Sequence, residues 1–432
     1  MNVETKQQRI AELAKQYSQV GLNNLHHYMD VDWLKEAYRR LDRQSAPGVD
    51  GQSAEQYGEE LESNLRDLLN RAKGKTYRAP PVRRGWVPKD EKESRPIGMP
   101  TVEDKVLQRA VVMVLEPMYE EEFYDFSFGF RPGRSAHQAL EYLWQQFRVQ
   151  KVEWVVDVDI RKFFDTLDHV LLRNVLRRKV QDGVLLWLVD QWLKAGVMEG
   201  GHLSRSVEGT PQGGVISPLL SNIFLHEALD QWFAEVVQCR LRGRSCMIRY
   251  ADDMVMGFEL EEDARRVMDV LPKRLGKYGL RLHPQKTRLV RFRRPPLESE
   301  TFEFLGFTHY WGKSRKGWNV VRRKTARTRF KRALKRFAQW AKQHRHDDLQ
   351  AQHRMVCAKL RGHYGYYGIT GNGRSLTEYF ERVKKCWRGW LNRRSRSADG
   401  MSWERFGQLL KEHLPLPKPK VVHSIYAANP SH

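Results

Sequence analysis

The chain has 432 residues, with 75 Lys and Arg against 52 Asp and Glu, a formal charge of +23 and a pI near 9.9. That surplus calls for a large polyanionic partner, and 41% hydrophobic with 11% aromatic residues excludes wholesale disorder. The length predicts two or three lobes, no apolar run approaches the roughly 18 residues of a membrane-spanning helix, and no signal-peptide pattern follows Met1. Cys239, Cys246, Cys357 and Cys386 lack CxxC spacing, so neither a zinc module nor a disulfide framework is supported. The expectation is a cytosolic, nucleic-acid-handling chain.

In chain order, residues 1–45 carry helical periodicity, with Ile10, Leu13 and Tyr17, then Leu34, Tyr38 and Leu41 on common faces. Ala46-Pro47-Gly48-Val49-Asp50-Gly51 is a loop, followed by a helical pattern through Leu61, Leu65, Leu68 and Leu69. From Tyr77 to Pro100, prolines and cations alternate with apolar residues, the pattern of an extended hairpin with exposed charge. A helix is expected from Val102 to about Leu115. The loop Ser127-Phe128-Gly129-Phe130-Arg131-Pro132-Gly133-Arg134-Ser135 then leads into another helix from Ala136.

Glu153 to Ile160 reads as a strand. Trp154, Val156, Val158 and Ile160 share one face, and Val155, Asp157 and Asp159 the other. Gly209-Thr210-Pro211-Gln212-Gly213-Gly214 is a tight loop before a helix over Val215–Leu229. Two apolar runs flank Tyr250-Ala251-Asp252-Asp253, which reads as a hairpin with adjacent carboxylates at its tip. Asp favours turns for local reasons, so the tip alone is also consistent with an ordinary turn. A helix over Ala264–Tyr278 and strands around Leu289–Phe292 and Phe302–Tyr310 follow.

Between Lys313 and Arg396 there are 25 Lys and Arg against 4 Asp and Glu. Phe330, Leu334, Phe337 and Ala341 form one apolar helical stripe, and Leu376, Phe380, Val383, Trp387 and Leu391 another, both read as core. The other faces carry Lys331, Lys335, Arg336 and Lys342, then Arg382, Lys384, Lys385 and Arg388. A merely solvated face mixes signs, so this one favours phosphate contact. Leu414–Lys420 is expected to be extended and mobile. His344, His346, His353 and His363 read as part of the same basic, phosphate-facing surface rather than as a metal cluster.

If the Asp159 strand and the Asp252–Asp253 hairpin are sheet neighbours, their carboxylates meet over one small volume. That geometry suits two divalent cations in phosphoryl transfer, with Asp holding the metals.

The ordered set Val156–Asp165, Thr210–Gly214 and Tyr250–Asp253 resembles reverse transcriptases. Ala46–Gly51, Ser127–Arg134, Gln212–Asn222, Leu282–Thr287 and Phe304–Phe307 narrow the resemblance to the group II intron reverse transcriptase/maturase family, from about residue 34 to 395. It implies an α+β right-hand polymerase: an N-terminal extension and start of fingers at 1–78, fingers at 79–145, and a palm with an antiparallel sheet at 146–312. A basic helical thumb/maturase domain at 313–400 and a tail at 401–432 complete it.

Residue by residue, the resemblance implies catalytic, metal-holding roles for Asp159, Asp252 and Asp253, with two Mg²⁺ ions and Mn²⁺ as a substitute. Asp157 is left as a supporting carboxylate. Lys89 and Arg95 match cations that hold the incoming dNTP's phosphates, and Gln212 and Gly213 match residues against its sugar. Phe164 matches the ring that excludes a 2′-hydroxyl, a role compatible with core packing beside Phe163. Lys286 is expected at a template or primer phosphate, and Leu305, Gly306 and Phe307 at the primer.

The implied partners are an RNA template, a DNA primer or target, dNTPs and the chain's own intron RNA, whose splicing it would assist. The implied location is the bacterial cytoplasm, nucleoid-associated when on DNA. About 35 residues follow Arg396, without cysteine, so the Cys/His-rich endonuclease of many family members is not expected. Two alternatives stand beside this reading. One is an RNA-binding splicing chaperone, disfavoured because a scaffold has no need of clustered carboxylates that repel RNA. The other is a domesticated relative in defence or DNA repair.

Overall fold

The computed structural model describes residues 2–88, 94–199, 202–204, 213–314, 316–394 and 400–424, with backbone alone at Pro88, Arg95 and 202–204. Helix α1 (Val3–Gln16) starts where the Asn2 side chain accepts from the Thr5 N–H, and α2 (Val31–Arg39) where Asp30 accepts from Trp33. A Ser53/Gln56 capping box opens α3 (Ala54–Glu59). Its successor α4 (Leu61–Lys73) buries Leu65, Leu68, Leu69 and Ala72. Strands β1 (Val82–Pro88) and β2 (Ser94–Met99) pair antiparallel, Val87 opposite Arg95.

Helix α5 (Val102–Glu120) runs a turn beyond the expected end at Leu115, because Met118 and Tyr119 are still buried and reward continuation. Next come α6 (Ala136–Val149) and β3 (Trp154–Asp159), then α7 (His169–Arg177) and α8 (Gly183–Lys194), capped by Asp168 and Asp182. Short strands β4 (Val197–Glu199) and β5 (His202–Ser204) join β1 and β2 in a sheet ordered β2-β1-β4-β5.

The helix expected over Val215–Leu229 is α9 (Ser217–Leu225), continuing into two π-helical segments, His226–Asp230 and Trp232–Val237. Strands β6 (Ser245–Tyr250) and β7 (Asp253–Phe258) form the expected hairpin, and α10 (Glu261–Gly276) follows with three acidic residues in its first turn. With β8 (Arg288–Arg291) the second sheet is ordered β6-β7-β3-β8. Trp154, Val156, Val158, Met247, Met254, Met256 and Phe258 belong to a core shared with α5, α7, α8 and α9. Period-two alternation therefore turns Asp157 and Asp159 to the opposite face, as the sequence predicts.

The chain divides into two units, residues 1–142 with 150–289, and residues 143–149 with 290–432. The second unit holds a sheet ordered β11-β10-β9, built from β9 (Phe302–Phe304), β10 (Phe307–Lys313) and β11 (Asn319–Thr325). It also holds helices α11 (Arg327–Gln343), α12 (Leu349–Tyr367), α13 (Gly373–Leu391) and α14 (Trp403–Glu412). Phe337, Ala341, Leu376, Val383, Trp387 and Leu391 form its helical core as the stripes predict, whereas Phe330, Leu334 and Phe380 are only partly buried against it and Tyr379 takes the core position expected of Phe380.

Two expectations for this unit are corrected. The 414–420 run is extended but anchored: Leu414 is buried, and beyond the run the Val422 and His423 N–H groups donate to Gly368 O. His363 is buried and stacks on Tyr379 with ring centroids 3.7 Å apart, so it faces the core and not RNA. Burial pushes its pKa down to about 4. Among the described residues, no helix is long and apolar enough to cross a membrane.

Candidate active site

Register sets the first feature of the site. On the β3/β7 ladder Asp159 lies directly opposite Asp253, and Asp157 opposite Val255. Directly opposed residues of an antiparallel pair share a face, with Cβ atoms about 4.5–5.5 Å apart. Tyr250 pairs with Asp253 on the β6/β7 ladder, so the hairpin loop is only Ala251 and Asp252. All three acidic residues thus gather at one end of the sheet, on or beside the face turned from the helical core.

Cations attend Asp159 and its strand neighbour Asp157. Lys286 Nζ lies 3.1 Å from Asp159 Oδ2, and Arg288 Nε 3.4 Å from Asp157 Oδ2. Main-chain bonds fix this edge: the His283 N–H donates to Asp159 O at 2.8 Å and the Asp159 N–H to Thr287 Oγ1 at 3.3 Å. The Asp159 and Lys286 side chains are 37% and 54% exposed, so the pair contributes at most about 1 kcal/mol and is readily exchanged. The donor chemistry, carboxylate oxygens on partly to fully exposed residues, fits a hard divalent cation. The arrangement is not a closed cage: among the described residues, no three His, Cys, Asp or Glu side chains stand ready around a metal.

The hairpin tip rests on a buried arginine that the sequence reading missed. Arg249 and Asp230 both have fully buried side chains, and Arg249 Nε donates to Asp230 Oδ1 at 2.8 Å while a terminal nitrogen donates to Oδ2. The other terminal nitrogen donates to Asn222 Oδ1 at 3.0 Å and to Ala251 O at 3.1 Å. Asn222 in turn donates from Nδ2 to Gly129 O at 2.6 Å. The 126–128 segment lies along β6: the Arg249 N–H donates to Phe126 O, and the Phe128 N–H to Arg249 O. Ala251 has φ +57, a left-handed conformation that costs a non-glycine residue roughly 1–2 kcal/mol. The signal was present in the sequence, since Met247 and Arg249 must point the same way and Met247 points into the core.

A family model described as reverse transcriptase (RNA-dependent DNA polymerase) matches residues 87–309. The chain belongs to that family. Protein YkfC of Escherichia coli K12 is 33% identical over 328 residues, which cover 66% of this chain and 82% of YkfC. The group II intron-encoded protein LtrA of Lactococcus lactis is 36% identical over 272 residues, covering 62% of this chain and 43% of LtrA, so the match spans less than half of that relative. Nuclear intron maturase 2 of Arabidopsis thaliana is 30% identical over 177 residues, 32% of this chain and 24% of that protein. The reverse transcriptase is of the group II intron type, with the mixed helices and antiparallel sheets of an α+β polymerase.

Other residues singled out in the sequence fall as follows in this reverse transcriptase. Lys89 and Gln212 lie outside the described residues, as does the Arg95 side chain. Gly213 has φ +115, and a Cβ there would meet Gly98 O at 2.3 Å, so only glycine fits. Phe164 is half-buried in the 3₁₀ turn Phe163–Asp165 and packs edge-on against Phe163 at 5.2 Å. In the second unit, Leu305 and Gly306 form the β9–β10 turn with φ +50 and +78, while Phe307 begins β10 and is buried. Tyr366 Oη donates to Leu305 O at 2.9 Å, and the Ala326 N–H to Gly306 O at 3.0 Å.

A second buried polar group also escaped the sequence reading. Asp104 accepts from Tyr77 Oη at 2.8 Å, Trp192 Nε1 at 2.6 Å and Gln108 Nε2 at 3.0 Å. Burial raises its pKa to about 6 against the opposing pull of these donors. Gln108 Oε1 accepts from the Ile216 N–H at 3.2 Å, tying α5 to the segment that follows Gly213.

Proposed function

We propose that the protein extends a primer 3′-hydroxyl with dNTPs on an RNA template, using two Mg²⁺ ions held by Asp159, Asp252 and Asp253, with Mn²⁺ able to replace them. The observation that carries this is the register placing Asp159 beside Asp253, one residue from Asp252, in a chain of the reverse transcriptase family. When bound, the ions would lower the pKa of the attacking hydroxyl and stabilise the charge leaving on pyrophosphate.

The chain's own residues supply the rest. Lys286 pairs with Asp159 in the free protein and passes to a template or primer phosphate when nucleic acid binds, a role its exposure supports. Lys89 and Arg95 hold the triphosphate, Gln212 and Gly213 meet the sugar, and the Phe164 ring leaves no room for a 2′-hydroxyl. Leu305, Gly306 and Phe307 meet the primer. Residues 79–145 act as fingers, 146–312 as palm and 313–400 as a thumb that binds structured intron RNA and assists its splicing.

Primer extension on a primed RNA template with Mg²⁺ tests the proposal. Wild-type protein is expected to yield full-length product, and Asp252→Ala none while still binding and splicing intron RNA. No product from the wild type would overturn it.

A further inference from the structure

Three stretches of chain meet behind the tip of the catalytic hairpin. The first is the loop at Gly129, whose carbonyl accepts from Asn222 and which packs so closely that a Cβ would lie 2.3 Å from Ala251 N. The second is the helix carrying Asn222, which becomes π-helical over His226–Asp230. A π-helical segment inserts a residue and turns later side chains, and such segments recur at functional sites. Here it ends on Asp230, whose two carboxylate oxygens both receive Arg249. The third is β6 itself, which carries Arg249 inward two residues before Ala251.

The Arg249 side chain ties the second stretch to the third, and its main chain pairs with Phe126 and Phe128 just before the first. One terminal nitrogen bridges Asn222 Oδ1 and Ala251 O, and the remaining donors engage Asp230. A planar guanidinium with donors on fixed vectors can do this; a flexible ammonium cannot. An apolar residue would suffice to fill the space, and a buried ion pair is weak evidence for a stability role. The unusual feature is the fourth bond, to the carbonyl of a left-handed residue immediately before the catalytic pair.

We propose that Arg249 is a positioning residue: buttressed by Asp230 and Asn222, it locks the Ala251–Asp252 turn and so presets Asp252 and Asp253 for divalent cations. This rests on the metal-holding role proposed above for the two aspartates. The hydrogen bond to Ala251 O fixes one loop peptide and Gly129 blocks its retreat, so the backbone that carries the two carboxylates is set before any metal arrives.

Mn²⁺ binding to the purified full chain, followed by electron paramagnetic resonance, tests this alongside the Mg²⁺ dependence of primer extension. In Arg249→Met/Asp230→Leu the ion pair is replaced by apolar groups, a change that commonly leaves stability intact. The expectation is a cooperative melt near the wild-type temperature. Mn²⁺ affinity is expected to fall about tenfold, equivalent to about 1.4 kcal/mol, with Mg²⁺ half-saturation shifted alike. Asn222→Ala keeps the Arg249–Asp230 pair and should move both readouts the same way by about threefold, or about 0.7 kcal/mol.

A folded double variant with wild-type Mn²⁺ affinity overturns the positioning role. Should the double variant fail to fold, an unchanged affinity in Asn222→Ala overturns it instead. Wild-type protein that binds Mn²⁺ no better than Asp252→Ala overturns the metal-site reading, and the positioning role with it.

Discussion

Gly129→Ala is the substitution with the sharpest structural consequence. Its added Cβ would lie 2.3 Å from Ala251 N, 2.9 Å from Tyr250 C and 3.0 Å from Ala251 Cα. All three are backbone atoms, so no side chain can rotate aside. Relief to an ordinary contact of about 3.5 Å requires about 1 Å of movement. The loop cannot easily supply it, because Asn222 holds the Gly129 carbonyl at 2.6 Å and β6 holds Phe126 and Phe128. The hairpin tip must then shift, carrying Asp252 and Asp253 with it.

A displacement of about 1 Å at reacting groups costs on the order of 100-fold in rate, and overpacking costs about 1–3 kcal/mol of stability. Single-nucleotide incorporation under saturating dNTP should therefore show kcat lowered about 100-fold, with primer–template affinity kept. Gly133→Ala is the control: its φ of +67 makes alanine costly by about 1–2 kcal/mol, yet nothing lies within 4 Å of the new Cβ, so activity should persist. Wild-type kcat in a folded Gly129→Ala protein would refute the seating of the hairpin on this loop.

Lys286→Ala should change stability by less than about 1 kcal/mol, because the Asp159 pair is largely exposed, yet lower the salt dependence of primer–template binding by about one unit of slope; an unaltered slope in a binding titration would count against phosphate contact. Trp192→Phe removes a 2.6 Å donor from buried Asp104 and should cost about 1–3 kcal/mol in chemical denaturation. His363, whose pKa is held near 4 by burial against an ordinary 6.5, stays neutral in the folded chain while the unfolded chain takes up a proton. Stability of the second unit is thus complete above about pH 6.5 and falls as pH drops toward 4, by up to about 3 kcal/mol for this one group. His363→Phe, which keeps a ring against Tyr379, should flatten that acid limb in thermal melts, and an unchanged limb would assign it elsewhere.

Much of the fold was legible because its signals are local. Alternation over Trp154–Asp159 gave the strand and its faces, and turn chemistry at Tyr250–Asp253 gave the hairpin. The stripes through Phe337 and Trp387 gave the helical core of the second unit. What was misread depends on contacts that periodicity does not encode. Leu414 and the chain beyond it look like a solvated proline-rich tail until α12 and Gly368 are there to receive them. His363 lies among cations in sequence, but its helical phase turns it inward onto Tyr379.

The buried polar groups mark the boundary most clearly. Asp104 meets Trp192 across 88 positions, and Arg249 meets Asp230 and Asn222 across 19 and 27. The need for a partner could be read from the strand alone, since a charge pointing inward beside Met247 cannot remain unpaired. Which of 52 acidic residues would answer could not, because the answer depends on a π-helical segment that leaves no periodic trace. The sequence motif thus marks where the carboxylates stand, while the means of holding them there is spread over three segments whose meeting is a property of the folded chain.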